Sequence, residues 1–337
     1  MKQQFNTWVK ISLILVYLVV IAGAFVRMTG SGMGCPDWPK CFGYYIPPTE
    51  ESALRWAPER EFKQGHVIIK DEQLWVAQKD FMTGNEFNPV YWAPYTKHDY
   101  AVFNPYHTWV EYINRLLGAI AGLATLLMAL FSLSMWRTKK GHTVLAWGVV
   151  FGMGFQAWLG ATVVYSVLAP FKITLHMLMA LVIIGALMAL WPKKQIAPLI
   201  NSSLLKFSFG ALALLAIQVI LGTQVRSYVD HQSEITSGLH PEIWLQSPPV
   251  LFYIHRSFSI ALLLVQWWIW RISPPELKKR HLVTLGLMVG TAISGIVLFY
   301  LNFPMGSQTI HLVLATLIFG LQWKTILDLI TSKNTEQ

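Results

Sequence analysis

Three short strings recur in two parts of this chain, and the residues they share suit the binding of a metal through nitrogen. GAFVR, closing an apolar run at Arg27, is echoed by GTQVR, closing another at Arg226. Asn114-Arg115 and His255-Arg256 open the next apolar run in each part, and Thr174-Leu175-His176 is echoed by Thr309-Ile310-His311. An imidazole inside a membrane-spanning segment is costly, so it pairs, lines a polar cavity or binds something. Three histidines at matching places in a duplicated bundle point to a shared ligand. Imidazole is an axial ligand of haem iron and an apolar bundle suits a porphyrin, so haem ligation by His176, His255 and His311 is the expected chemistry. Glu111 stands three residues before Asn114 and shares its helix face. In an apolar pocket such a carboxylate could shuttle protons or stabilise a cationic intermediate; the plainer alternative is an ion pair with Arg115 or Arg27. Arg27, Arg115, Arg226 and Arg256 either snorkel to the interface or bind haem propionates, which a guanidinium grips with two parallel hydrogen bonds.

The elements that must carry these residues are membrane helices. With 54% hydrophobic and 13% charged residues and a mean hydropathy of +0.45, the chain is too apolar for an ordinary soluble domain. Apolar runs long enough to cross about 30 Å of hydrocarbon fall at 9–28, 108–136, 145–168, 171–191, 204–227, 249–270, 281–302 and 308–330. The expected fold is an all-α integral membrane protein, its eight transmembrane helices forming two tandem four-helix bundles related by internal duplication. The first half spans 1–200 and the second 201–337. The first run leads into Arg27 and a polar loop with no A-x-A cleavage site, and reads as a retained span.

Lysines and arginines cluster at the termini and in alternate short loops, at Lys2 and Lys10, Arg137 to Lys140, Lys193, Lys194 and Lys206, Arg271 to Arg280, and Lys333. The positive-inside rule makes those segments cytoplasmic, so both termini lie inside and the histidines face the outer side of a bacterial-type inner membrane. The net charge of +9 is then accounted for without nucleic acid. Cys35 and Cys41 fall in the first outer loop, where an oxidising compartment makes a disulfide the default; free thiols or a metal pair are the alternatives. That loop, 30–105, is rich in Pro, Trp and Tyr with little periodicity beyond an amphipathic piece near 50–64. It is expected to form a partly ordered cap over one half only. His66, His98, His231 and His240 read as solvated loop residues, His142 and His281 as helix-end residues, and most tryptophans as interfacial belts.

Taken together, Arg27-Met28-Thr29-Gly30-Ser31-Gly32, the Cys35/Cys41 loop with Asp37-Trp38-Pro39, Glu111-Tyr112-Ile113-Asn114-Arg115 and the three histidine helices resemble the haem A synthase family over nearly the whole chain. The resemblance implies an oxidoreductase that converts the C8 methyl group of haem O to a formyl group, making haem A for respiratory haem-copper oxidases. It implies a resident haem b held by His255 and His311, a substrate half with His176 as iron ligand and Glu111 as catalytic carboxylate, and haem O delivered by haem O synthase. The electron partner stays unnamed, and a homo-oligomer is compatible. The family pattern has histidine where this chain has Asn114, and an amide is a poor iron ligand. Either the first-half iron keeps an open position, or His107, two turns earlier on the same face, substitutes. The competing functions are a cytochrome b-like di-haem electron carrier, which would need symmetric ligation, and a transporter, which would place its polar groups at mid-membrane.

Overall fold

The computed structural model describes residues 2–192 and 202–333; Lys193 and Lys194 of the basic-loop pattern lie outside them. Eight long apolar helices cross the described chain: α1 (Lys2–Met28), α2 (Pro105–Ser132), α3 (Lys140–Tyr165), α4 (Pro170–Leu190), α5 (Ser202–Ile235), α6 (Val250–Ile272), α7 (Pro275–Tyr300) and α8 (Ser307–Lys333). This is an all-α, eight-span membrane protein. Helix starts follow from local chemistry. Asn104 accepts hydrogen bonds from the backbone N–H groups of Tyr106 and His107 at 3.0 and 3.3 Å, and Pro105 occupies the first turn, where its missing N–H costs nothing. α4 and α7 likewise begin at prolines.

Four helices exceed the expected spans by five residues or more: α3 and α7 begin five and six residues early, at Lys140 and Pro275, and α1 and α5 run further still. α1 begins at Lys2 because its polar first turn continues the helix outside the apolar window, and α5 runs to Ile235, about two turns past the apolar limit at 227. Each helix packs on its successor; α1 also closes against α4, and α5 against α8. Contacts of α8 with α1 and α4, and of α4 with α5, join the two groups.

The loop expected as a partly ordered cap holds a small antiparallel β unit. β1 (Glu61–Phe62) pairs with β4 (Phe81–Met82), while β2 (Val67–Lys70), β3 (Gln73–Ala77) and β5 (Trp92–Pro94) form a second sheet with Val67 opposite Val76 and Trp75 opposite Pro94. The amphipathic piece near 50–64 is a single 3-10 turn, Glu51–Leu54, followed by β1. Strands of two to five residues are too short for an alternation to be read, and in β2 the neighbours Val67 and Ile68 are both buried. Val67 packs with Leu54, Leu74 and the two cysteines, while its neighbour Ile68 packs on the other side with Phe62, Ala77 and Trp92.

Candidate functional site

Asn114, His176, His255 and His311 lie near the starts of α2, α4, α6 and α8. Successive spans alternate in direction, so all four belong to one side of the membrane. Each faces a glycine on the preceding helix. A Cβ added to Gly222 would stand 3.0 Å from His255 Cε1, one on Gly160 3.4 Å from His176 Cε1, one on Gly295 3.4 Å from His311 Cε1, and one on Gly23 3.7 Å from Asn114 Oδ1. The glycines are notches into which the facing side chain fits, tightly for the three imidazoles and loosely for Asn114. Sequence reasoning missed them as a set, although Gly23 and Gly222 open the repeated GAFVR and GTQVR strings. Gly160 and Gly295 each precede their histidine by sixteen residues.

His255 and His311 face each other across the second half, with ring centroids 6.3 Å apart and planes at 61°. A metal–imidazole bond of about 2.0–2.1 Å plus roughly 1.1 Å from ring nitrogen to centroid, taken twice, comes to about 6.3 Å. The pair therefore fits two axial ligands of one iron. Ser294 Oγ lies 2.9 Å from His311 Nδ1, orienting that ring, and Gln218 Nε2 donates to the His255 carbonyl at 2.9 Å. In the first half Gln156 Nε2 donates to the His176 carbonyl at 3.0 Å. His176 Nδ1, His255 Nδ1 and Asn114 Oδ1 are buried with no hydrogen-bond partner. His107 sits in the first turn of α2 with its ring against Tyr106. It is Asn114 that occupies the notch at Gly23.

Glu111 is 4% exposed. One carboxylate oxygen accepts the Cys35 backbone N–H at 2.8 Å and the other pairs with Arg115. Arg115 also donates to the carbonyls of Asp37, Lys40 and Cys35 at 2.6, 2.9 and 3.0 Å, and Thr108 Oγ1 donates to the Gly34 carbonyl at 2.8 Å. Thr108, Glu111 and Arg115 thus form one stripe of α2 on which the loop closed by the Cys35–Cys41 disulfide is fastened. Gly34 is required there, since a Cβ would come 2.3 Å from the His107 carbonyl oxygen. Within the loop Asp37 accepts the N–H groups of Phe42 and Gly43 at 2.5 and 2.8 Å. Burial pushes the Asp37 carboxyl above the usual carboxylate range, opposed by the Gly43 and Phe42 amides and by Arg115.

The four arginines occupy different surroundings. Arg27 of α1 and Arg226 of α5 both grip Asp230, each at 2.6 Å, and Arg226 also donates to the Arg27 carbonyl. Arg226 Nη1 stays buried and unpartnered. Arg256 is exposed over the rings of Phe252 and Tyr253. Asp230, which sequence reasoning missed, ties the two halves together at the rim. Just inside, the Thr174 and Thr223 hydroxyls meet at 3.1 Å and Gln224 donates to Thr174, linking the element that carries His176 to the one that faces His255.

Fold and site define a multi-pass membrane protein with an intramembrane bis-imidazole pair in one half and a single imidazole in the other. Residues 6–323 match the model of the cytochrome oxidase assembly protein family, COX15-CtaA, and the chain belongs to that family. Among curated relatives it is 24% identical over 339 residues to a Heme A synthase of Wolbachia pipientis subsp. Culex pipiens, covering 93% of this chain and 94% of the relative. A Heme A synthase of Bartonella quintana is 25% identical over 358 residues, covering 96% and 92%. One of Shewanella oneidensis is 26% identical over 217 residues, and there the match spans 64% of this chain but only about half, 54%, of the relative.

Proposed function

We propose that this protein is a haem A synthase, an oxidoreductase that takes haem O as substrate and oxidises its C8 methyl group to a formyl group. The observation that carries the reading is the His255–His311 pair, whose 6.3 Å ring separation matches bis-imidazole ligation of one iron. Family membership and the names of its relatives supply the substrate. The chain divides into two duplicated halves, 1–200 and 201–337. The second holds haem b, which when bound there supplies one-electron transfer. The first receives haem O, delivered by haem O synthase, with His176 as its iron ligand.

Asn114 stands where the second half has His255, so a haem held by His176 would be offered no second imidazole from that position, which would suit oxidation chemistry and disfavours a di-haem carrier with symmetric ligation. Glu111, held by the Cys35 amide and Arg115, is the catalytic carboxylate of this half and would take up or release protons during methyl oxidation. Arg226, with Nη1 lacking an acceptor, and its equivalent Arg27 bind propionates between the halves; Arg256 takes a propionate at the outer rim, and Arg115 contributes positive potential from beneath the loop. Both termini are cytoplasmic and the haem sites lie toward the outer face, on the basic-loop pattern. The test is the low-spin spectrum of the purified protein. His255→Ala and His311→Ala should each abolish it, and a low-spin signal surviving in either variant would overturn the assignment.

A further inference from the structure

The second half carries a polar layer in its core that the first half lacks. Gln266 and Gln322 stand eleven residues beyond His255 and His311, and Ser208 and His281 fourteen before Gly222 and Gly295, so the four share one depth. They lie about 17–21 Å along the helix axes from the imidazoles, toward the other face of the membrane. All are buried, at 5, 1, 4 and 6% exposure for Ser208, Gln266, His281 and Gln322. Counting the same steps in the first half reaches Val9, Thr125, Ala146 and Leu187, also buried. The fold therefore closes this layer with apolar or small residues when nothing further is asked of it.

The layer's hydrogen bonds run in one direction. Gln322 Nε2 donates to Gln266 Oε1 at 3.3 Å, and Gln266 Nε2 lies 3.1 Å from His281 Nδ1. An amide nitrogen only donates, so Nδ1 accepts and the imidazole proton sits on Nε2. This leaves one donor, His281 Nε2–H, one acceptor, Gln322 Oε1, and one hydroxyl, Ser208 Oγ, all buried without partners. Such atoms are expensive in an apolar core unless a ligand meets them. A charged cluster, Arg280 and Lys324 on Asp328 at 2.8 and 2.9 Å, flanks the layer toward the helix ends.

We infer that this layer binds the headgroup of a lipid-soluble quinone, the electron partner of the second half; the inference rests on the proposed function. A quinone carbonyl accepts from His281 Nε2–H. After uptake of two electrons and two protons the same oxygen is a hydroxyl that donates to Gln322 Oε1. Oxidation of methyl to formyl with water as oxygen source releases four electrons and four protons, which two quinones take up as two hydroquinones.

The test uses the intact holoprotein and decylubiquinone, without oxygen. Protein reduced stoichiometrically with dithionite is mixed with the quinone, and reoxidation of the low-spin haem is followed by its absorbance. The comparison variant carries the first half's own layer, Ser208→Val, Gln266→Thr, His281→Ala and Gln322→Leu; His281→Gln is a milder second variant. Both should keep the low-spin spectrum and reoxidise normally with water-soluble ferricyanide, yet react with the quinone roughly tenfold more slowly or worse. Equal quinone rates in wild type and variants would overturn the inference, the layer then being interhelical glue or a water site, while the haem reading stood. A wild type without low-spin haem would overturn both.

Discussion

Gly222→Ala should weaken haem retention without weakening the fold. The added methyl would sit 3.0 Å from His255 Cε1, tighter than carbon atoms ordinarily rest, so the ring must retreat by a few tenths of an ångström. In a pair matched to one iron that shift is not absorbed, and overpacking of this kind costs about 1–3 kcal/mol, or roughly 5- to 150-fold in haem affinity. Alanine meanwhile improves helix propensity by about 0.8–1 kcal/mol, so unfolding of the haem-free protein should be unchanged or harder. The two effects have opposite signs, which separates a site defect from general destabilisation. The assay is haem content per protein, the low-spin spectrum and the rate of haem loss to an excess of apomyoglobin. Gly23→Ala is the internal control, because its methyl would meet Asn114 Oδ1 at an ordinary 3.7 Å. Wild-type haem retention in Gly222→Ala, or equal loss in Gly23→Ala, would refute the notch argument.

Other consequences are open to measurement. The Cys35–Cys41 bridge should protect both thiols from alkylation until reductant is added, and full labelling of untreated protein would contradict it. Glu111→Gln should keep the low-spin haem of His255 and His311 while losing conversion of haem O; wild-type conversion would remove Glu111 from the chemistry. Asp37→Asn leaves a single acceptor oxygen and puts an NH2 donor against the other of the Phe42 and Gly43 amides, so it should weaken the loop, though less than removal of the whole group. Asp37→Ala should cost about 1–3 kcal/mol, read as faster hydrogen exchange at those amides. Asn114→His should convert the first-half haem toward six-coordinate low spin, and an unchanged spectrum would count against an open iron position.

Much of the membrane architecture was legible because burial in lipid leaves a long, simple signal. Every span was found, and the errors lay at the ends, where α1, α3, α5 and α7 continue as helix through polar residues that hydropathy excludes. The cap was not legible. Its strands are two to five residues long, and in β2 Val67 and Ile68 are buried on opposite faces, so neither Phe62 nor Ile68 shows a repeat. The imidazoles announced themselves by charge type and repetition. Their glycine partners did not, since a glycine in a membrane helix is common and only the structure shows Gly222 against His255. At Asp230 the local half of the arrangement, the i, i+4 spacing from Arg226, was there to be read, whereas its bond to Arg27 crosses some 200 residues and no local spacing shows it. The plainer alternative for Glu111, a pair with Arg115, is present, and the structure adds the Cys35 amide that no i, i+4 rule could supply.

In the proposed division of labour the first half converts haem O to haem A while the second keeps its own haem. Purified wild-type protein, from cells that also make haem O, should be extracted with acidified organic solvent and its pigments separated by chromatography. The account predicts haem A beside haem b in the extract, with haem A absent and haem b retained when Glu111→Gln is extracted in the same way. Haem b and haem O alone from wild-type protein with an intact low-spin spectrum would contradict it.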